Sequence, residues 1–247
     1  MRTGKATTLS TYTALRHAAG RVASAAVELV FPARCLGCNR EGAFLCSACE
    51  ETLPVLKPPY CLVCSQPGRL TLKLCRTCRA DPLQIEGIRA PYRMEGAVRK
   101  AIHALKYQGV RAVAPTLGQL LVPFLAQEGL EADALVPVPL HRKRERQRGY
   151  NQSLLLAQAV GRATGLAVEP RALTRVTSVP SQVSLRAEER RANVAGAFRA
   201  EPESVAGRRI LVIDDVCTTG ATLEACAMAL KEAGAASVWG VALARET

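Results

Sequence analysis

"RRILVIDDVCTTGATL", Arg208 to Leu223, moves from an aliphatic run to two adjacent carboxylates and then to a hydroxyl-rich turn. Ile210 to Ile213 read as a buried strand, and the threonine-rich turn reads as the start of a helix. In open α/β sheets, ligands sit where a strand's carboxyl end meets such a turn. Thr218, Thr219, Gly220, Ala221 and Thr222 would offer an anion free helix N–H groups and three hydroxyls. Gly220 permits torsions and a close approach that a side chain would block. No G-x4-G-K-[ST] phosphate loop is present in the sequence. Helix capping accounts for the threonines, but not for Asp214 and Asp215 directly before them. Carboxylates there would repel a bare phosphate. They can accept hydrogen bonds from a ribose diol and help to hold Mg2+. The stretch therefore points to a sugar phosphate, its diol on the acids and its phosphate in the turn.

Outward from this unit, residues 81–247 alternate aliphatic runs with helical periodicity, which predicts an α/β domain with a mostly parallel sheet. Helices are predicted over 96–108, 112–127, 151–163 and 219–233. Strands are predicted over 133–140, 208–215 and 237–244, with Trp239 on the last as a packing residue. The carboxyl-end rule selects a second loop, "HRKRERQRGYNQS" at 141–153, after the strand residues 135–138. Arg142, Lys143, Arg144, Arg146 and Arg148 against Glu145 give +4 in seven residues. Such a run is either a solvated face or an anion site, and its place at a strand end favours the anion site. Arg148 is the strongest single choice because it adjoins the Gly-Tyr-Asn-Gln turn. His103 and His141 have no matched acid or nucleophile nearby in sequence and receive no catalytic role.

Eight of the ten cysteines fall between residues 35 and 78 as four C-x2-C pairs: Cys35/Cys38, Cys46/Cys49, Cys61/Cys64 and Cys75/Cys78. A two-residue spacer lets two thiolates of a tight turn face one tetrahedral ion, and two such turns complete a zinc shell. Disulfides would need an oxidising compartment, for which the sequence carries no signal. Iron–sulfur clusters usually use other spacings. Consecutive pairing gives two zinc ribbons in tandem, and pairing of the first turn with the third is also open. This region, residues 31–80, has few large aliphatics, so metal must supply its folding free energy. Pro54, Pro58 and Pro59 read as a stiff link. Such ribbons either dock on the second domain or grip nucleic acid. Cys217 and Cys226 read as apolar fillers.

The chain is basic, with a formal charge of +12. The first 80 residues hold eleven Lys and Arg against four Glu, so a polyanionic partner is expected. No apolar run reaches membrane-spanning length. Residues 1–30, a tail and a helix over 12–30, lack the pattern of a secretory signal. A cytoplasmic chain is expected.

"ILVIDDVCTTGAT" resembles the PRPP-binding motif of type I phosphoribosyltransferases. "VPVPLHRKRERQRGYNQS", "SQVSLRAEERRANVAGAF" and "FPARCLGC" resemble the pattern of the ComF family, and the likeness runs from about Phe31 to the end. The resemblance implies a phosphoribosyltransferase-type (Rossmann-like) domain over 81–247 behind a double zinc ribbon over 31–80. It implies that Asp214 and Asp215 bind the ribose hydroxyls of PRPP, aided by Mg2+. Asp214, Asp215 and the turn Val216, Cys217, Thr218, Thr219, Gly220, Ala221 and Thr222 would form the PRPP site. Arg142, Lys143 and Arg148 would face the pyrophosphate, with Arg148 joining the two acids in catalysis. Lys106 in "LKYQG" matches the family pattern without an evident task. The segment 181–198 is either a hood closing over PRPP or a surface helix laced by Glu–Arg pairs. Two functions follow from the resemblance. One is phosphoribosyl transfer to an acceptor that the sequence does not name. The other is a non-catalytic assembly or sensor protein in DNA uptake, working beside a helicase and other competence proteins and holding single-stranded DNA. Stacking candidates near the ribbons are Phe44, Tyr60 and Tyr92.

Overall fold

The computed structural model describes residues 32–68, 73–176 and 196–246. The helix expected over 12–30 and the hood segment up to residue 195 lie outside the described residues. Internal contacts divide the chain into two compact units, Met1–Glu51 and Thr52–Thr247.

The first unit is a cysteine turn followed by one short helix, α1 (Ser47–Glu50). Its turn is closed by Asn39 N–H donating to Cys35 O at 2.7 Å and Cys35 N–H to Arg40 O at 2.8 Å. Among its described residues only Cys35 and Leu45 are buried apolar groups, too little to hold a fold without metal.

The second unit begins with another cysteine turn and α2 (Arg76–Ala80). Strands β1 (Gly87–Arg89) and β2 (Tyr92–Arg93) lead into α3 (Gly96–Tyr107) and α4 (Ala114–Glu128). Then come β3 (Ala134–Pro137), α5 (Arg142–Arg148), α6 (Gln152–Thr164) and β4 (Ala167–Val168). A side hairpin of β5 (Leu173–Arg175) and β6 (Phe198–Ala200) pairs antiparallel. Last are α7 (Pro202–Val205), β7 (Arg209–Cys217), α8 (Ala221–Glu232) and β8 (Ser237–Arg245).

The main sheet runs β1-β8-β7-β3-β4 with β2 also on β8, and every pairing is parallel. From β3 the chain crosses by α6 to β4 on one side, and from β7 it crosses by α8 to β8 on the other. The strand order therefore reverses between β3 and β7, the crevice where open α/β sheets bind ligands. Both loops singled out in the sequence leave from that point.

Ile210, Leu211, Val212 and Ile213 are each 2% exposed or less, as expected for a strand covered on both faces. Burying each contributes about 1.5–3 kcal/mol. Helix α4 packs so closely on α6 that a Cβ at Gly118 would sit 2.3 Å from Ala159 Cβ.

The structure departs from the sequence expectation in three places. The strand expected over 133–140 is only Ala134–Pro137, because the prolines end its ladder. The 141–153 loop contains α5, capped by His141 Nδ1 accepting from Lys143 N–H at 3.2 Å and ended by Gly149 at φ 77°. Strand β7 runs on to Cys217, paired with Arg245, so the two acids lie within the ladder.

Candidate functional site

The four sulfurs of Cys35, Cys38, Cys46 and Cys49 lie within 4.8 Å of one another, as do those of Cys61, Cys64, Cys75 and Cys78. A tetrahedral Zn2+ with its usual bond length sets sulfurs about 3.8 Å apart. Cys38 and Cys46 Sγ are 3.6 Å apart, and Cys64 and Cys75 Sγ are 3.8 Å apart. Main-chain N–H groups also point at the sulfurs, Cys46 to Cys35 Sγ and Cys78 to Cys75 Sγ, each at 3.4 Å. This donor set suits thiolate held by zinc, and the chain has two four-cysteine zinc sites. The pairing is consecutive, which removes the interleaved alternative.

The second of these sites is built into the core of its unit. Cys61, Cys64 and Cys78 are buried in one apolar cluster with Ile85 and Ile88. Ile88 N–H donates to Val63 O at 2.6 Å, and Ser65 Oγ donates to Ile88 O at 2.6 Å. Arg89 reaches Leu62 O at 2.8 Å and stacks 4.8 Å from the ring of Trp239, which is thus a packing residue.

At the switch point, Asp214 and Asp215 are only 9% and 2% exposed. Asp214 Oδ1 accepts from Ser153 Oγ and from Asp215 N–H, both at 2.9 Å. Lys106 Nζ lies 2.8 Å from Asp215 Oδ1. Burial first, then the adjacent Asp215 charge, raises the Asp214 carboxyl well above the ordinary carboxylate range, while Lys106 opposes the rise. Among the described residues Asp215 Oδ2 is buried with no hydrogen-bond partner. A buried carboxylate oxygen without a partner is costly, and a ligand hydroxyl or a divalent cation is what it suits chemically.

Ser153 is positioned by the turn before it. Asn151 caps α6 through Oδ1, which accepts from Ser153 and Leu154 N–H, while its Nδ2 donates to Val138 O at 3.0 Å. Tyr150 OH donates to Leu105 O, tying this turn to α3, the helix that carries Lys106. The motif "GYNQS" thus locks the second loop against the first.

The threonine turn has Gly220 at φ 85° as the N-cap of α8, with Ala221 N–H donating to Thr219 Oγ1 at 3.3 Å. A Cβ at Gly220 would lie 2.7 Å from Ile88 Cδ1. Thr218 is exposed, and Thr219 and Thr222 are half-buried. Cys217 is more than a filler: its buried sulfur accepts from Arg245 at 2.8 Å. Burial pushes its thiol up to about 11 against the pull of Arg245. Cys226 is a core residue.

A cavity of ≈ 630 Å³ is lined by Lys106, Tyr107, Gly109, Arg144, Gln147 and Arg148. Of the residues expected at the pyrophosphate, Arg148 lines this cavity, donating to Gln152 Oε1 with its guanidinium 5.6 Å from the Tyr107 ring. Arg142 lines a separate cleft with Glu145, Arg146 and Gly149, and Lys143 lines neither. Sequence reasoning left out Tyr107, 67% exposed, as well as Ser153 and the task of Lys106. Phe44, Tyr60 and Tyr92 are half-buried. Helical spacing from Arg99 and His103 to Tyr107 carries the signal for Tyr107.

Comparison with known proteins matches the cysteine-rich region and the α/β region separately. Residues 26–79 match the double zinc ribbon domain, and residues 155–246 match the phosphoribosyl transferase domain. The chain is 31% identical over 219 residues to the DNA utilization protein YhgH of Escherichia coli (strain K12), covering 85% of this chain and 96% of that protein. It is 29% identical over 239 residues to competence protein F of Haemophilus influenzae, covering 87% and 98%. Against competence protein ComFC of Bacillus subtilis it is 28% identical over 209 residues, covering 81% and 84%. Among solved structures, the glutamine phosphoribosylpyrophosphate amidotransferase from B. subtilis matches with a TM-score of 0.40 and 24% identity, over 57% of this chain and 30% of that one. Among the described residues no helix is long and apolar enough to cross a membrane.

Proposed function

The chain belongs to the ComF family, that of the DNA utilization protein YhgH and competence protein F, and on that premise we propose that it binds PRPP with Mg2+ and serves DNA uptake or utilisation. The observation that carries the reading is the acid pair at the switch point. Ser153 and Lys106 hold one oxygen of each carboxylate, and Asp215 Oδ2 has no partner among the described residues. That arrangement keeps acceptor capacity aimed at a ligand instead of consuming it within the protein.

In this reading Asp214 and Asp215 accept the ribose hydroxyls, and Thr218 to Thr222 cradle the 5-phosphate at the start of α8. Lys106, Arg144 and Arg148 line the neighbouring cavity, where their charge suits the pyrophosphate. In phosphoribosyl transfer the bond from the anomeric carbon to the pyrophosphate oxygen breaks as a bond to an acceptor nitrogen forms. Positive charge grows on the sugar and negative charge on the departing group, which preorganised cations stabilise. Asp214 and Asp215 would hold Mg2+, which when bound neutralises charge on the departing pyrophosphate.

The test is a thermal-shift titration with PRPP and Mg2+. At a hundredfold excess over Kd, binding adds about 2.7 kcal/mol of stability, so wild type should melt several degrees higher and Asp215→Asn should not respond. Absence of a shift in wild type, or an equal shift in the variant, removes the reading.

A second reading is favoured by Tyr107. Its exposed ring stands beside Arg148, and Lys106 and Arg144 line the same cavity, a stacking platform among cations that suits single-stranded DNA without sequence preference. Fluorescence anisotropy with an oligothymidine probe should show binding that weakens steeply with salt and falls in Tyr107→Ala. Salt-independent or absent binding removes it.

A further inference from the structure

Arg245 ends β8 and is 1% exposed, among the largest fully buried side chains. A guanidinium keeps its charge when buried, so the fold must place a negative group beside it. Among the described residues no carboxylate forms an ion pair with it. Its partners are Cys217 Sγ at 2.8 Å and Gln66 Oε1 at 2.7 Å. Gln66 is part of the second cysteine turn. Its carbonyl accepts from Cys61 N–H at 2.9 Å. Cys64 stands two residues before Gln66 in that turn and is buried in one cluster with Cys61, Cys78 and Cys217. Four thiolates around one Zn2+ carry a net charge of about −2. The negative group that the buried guanidinium lacks among the carboxylates is therefore present in the sulfurs.

We propose that Arg245 is the counter-cation of the second four-cysteine centre and, through Cys217, the residue that ties this centre to the anion turn. Groups just outside a metal's ligands set how firmly it is held, and Arg245 fills that role through its hydrogen bond to Gln66 of the cysteine turn. Its other contact, Cys217 Sγ, lies 3.9 Å from where a Cβ on Gly220 would stand, so the sulfur that Arg245 fixes packs against the start of α8. Zinc retention at the second centre and anion binding at the turn are then linked, each strengthening the other by the same factor. This linkage, unlike the counter-cation assignment, rests on the turn being the PRPP site.

The experiment uses the zinc-loaded full chain carrying Cys35→Ser and Cys38→Ser, so that retained zinc reports on the second centre. Release is followed with a colorimetric chelator. Arg245→Met should release zinc roughly tenfold faster or more, and Arg245→Lys, which keeps the charge, should stay within about twofold of the parent. Equal rates for Arg245→Met and the parent overturn the assignment. Should Arg245→Met fail to fold, Gln66→Leu replaces it: the guanidinium loses its anchor beside Cys64, and unchanged release is again contrary. For the linkage, PRPP with Mg2+ should slow release in the parent, and Cys217→Ala should lose that protection. Equal protection in Cys217→Ala, or a PRPP-stabilised parent whose release is not slowed, overturns the linkage. If PRPP neither slows release nor raises the parent's melting temperature, the PRPP reading fails, and the Arg245 variants still decide the counter-cation assignment.

Discussion

At the residue scale, the acid pair is held in a state that folding alone would not choose. Two adjacent buried carboxylates repel each other, and burial raises Asp214 further. Removing one charge should therefore relieve the fold while disabling the site, the usual conflict between stability and function. Asp214→Asn is expected to raise the urea midpoint of the apo protein and to abolish stabilisation by PRPP. A lower midpoint would show that the pair is a structural element. Lys106→Met should instead lower the midpoint, costing about 1–3 kcal/mol because Asp215 is left buried without its cation. Ser153→Ala removes a single bond to Asp214 and should cost about 1 kcal/mol. Both values are read from urea denaturation. The acids and the threonine turn are legible in sequence because they are contiguous. Ser153 and Lys106 are not, because 61 residues separate Ser153 from Asp214 in the chain and only the sheet order brings them together.

At the element scale, helices and strands follow the apolar periodicity closely, and the misreadings fall where local chemistry outweighed it. The cationic run 142–148 reads as a loop with an anion site because it has no apolar face. Yet His141 and Gly149 cap it into a helix, and that helix sends Arg144 and Arg148 to one cavity and Arg142 to another cleft. Gly220 is needed at the start of α8 for both its φ of 85° and the nearness of Ile88. Gly220→Ala should cost about 1–2 kcal/mol and weaken PRPP binding more than an equally destabilising change elsewhere. The loop before β3 is tied to β7 by Asp133, whose carboxyl Arg209 holds down at about 2 by side-chain and main-chain hydrogen bonds. A lowered carboxyl stabilises the fold above its unfolded value and loses that contribution as pH falls through the folded one. The stability difference between wild type and Asp133→Asn should thus be full above about pH 4 and vanish towards pH 2. It should shrink with salt, since the pair is exposed.

At the scale of the whole molecule, the two zinc centres differ in what surrounds them. The first stands in a unit with little apolar burial, whereas the second shares a core with Ile85 and Ile88 and lies beneath the sheet edge formed by β1. Cys61→Ser should therefore lower the melting temperature of the phosphoribosyltransferase unit itself, and calorimetry of the full chain is the measurement. Tandem C-x2-C spacing shows the metal in the sequence. It does not show that the second centre belongs to the larger unit, because the joining contacts run through main-chain groups of Val63, Leu62 and Ile88. The central claim is that the switch between β3 and β7 is a PRPP site whose acids face the ligand. Isothermal titration with PRPP and Mg2+ on wild type and the Asp214→Asn/Asp215→Asn double variant tests it most directly. Saturable, Mg2+-dependent binding at one site per chain is expected in wild type, and none in a folded double variant. Equal binding by both proteins, or none by wild type, would contradict it.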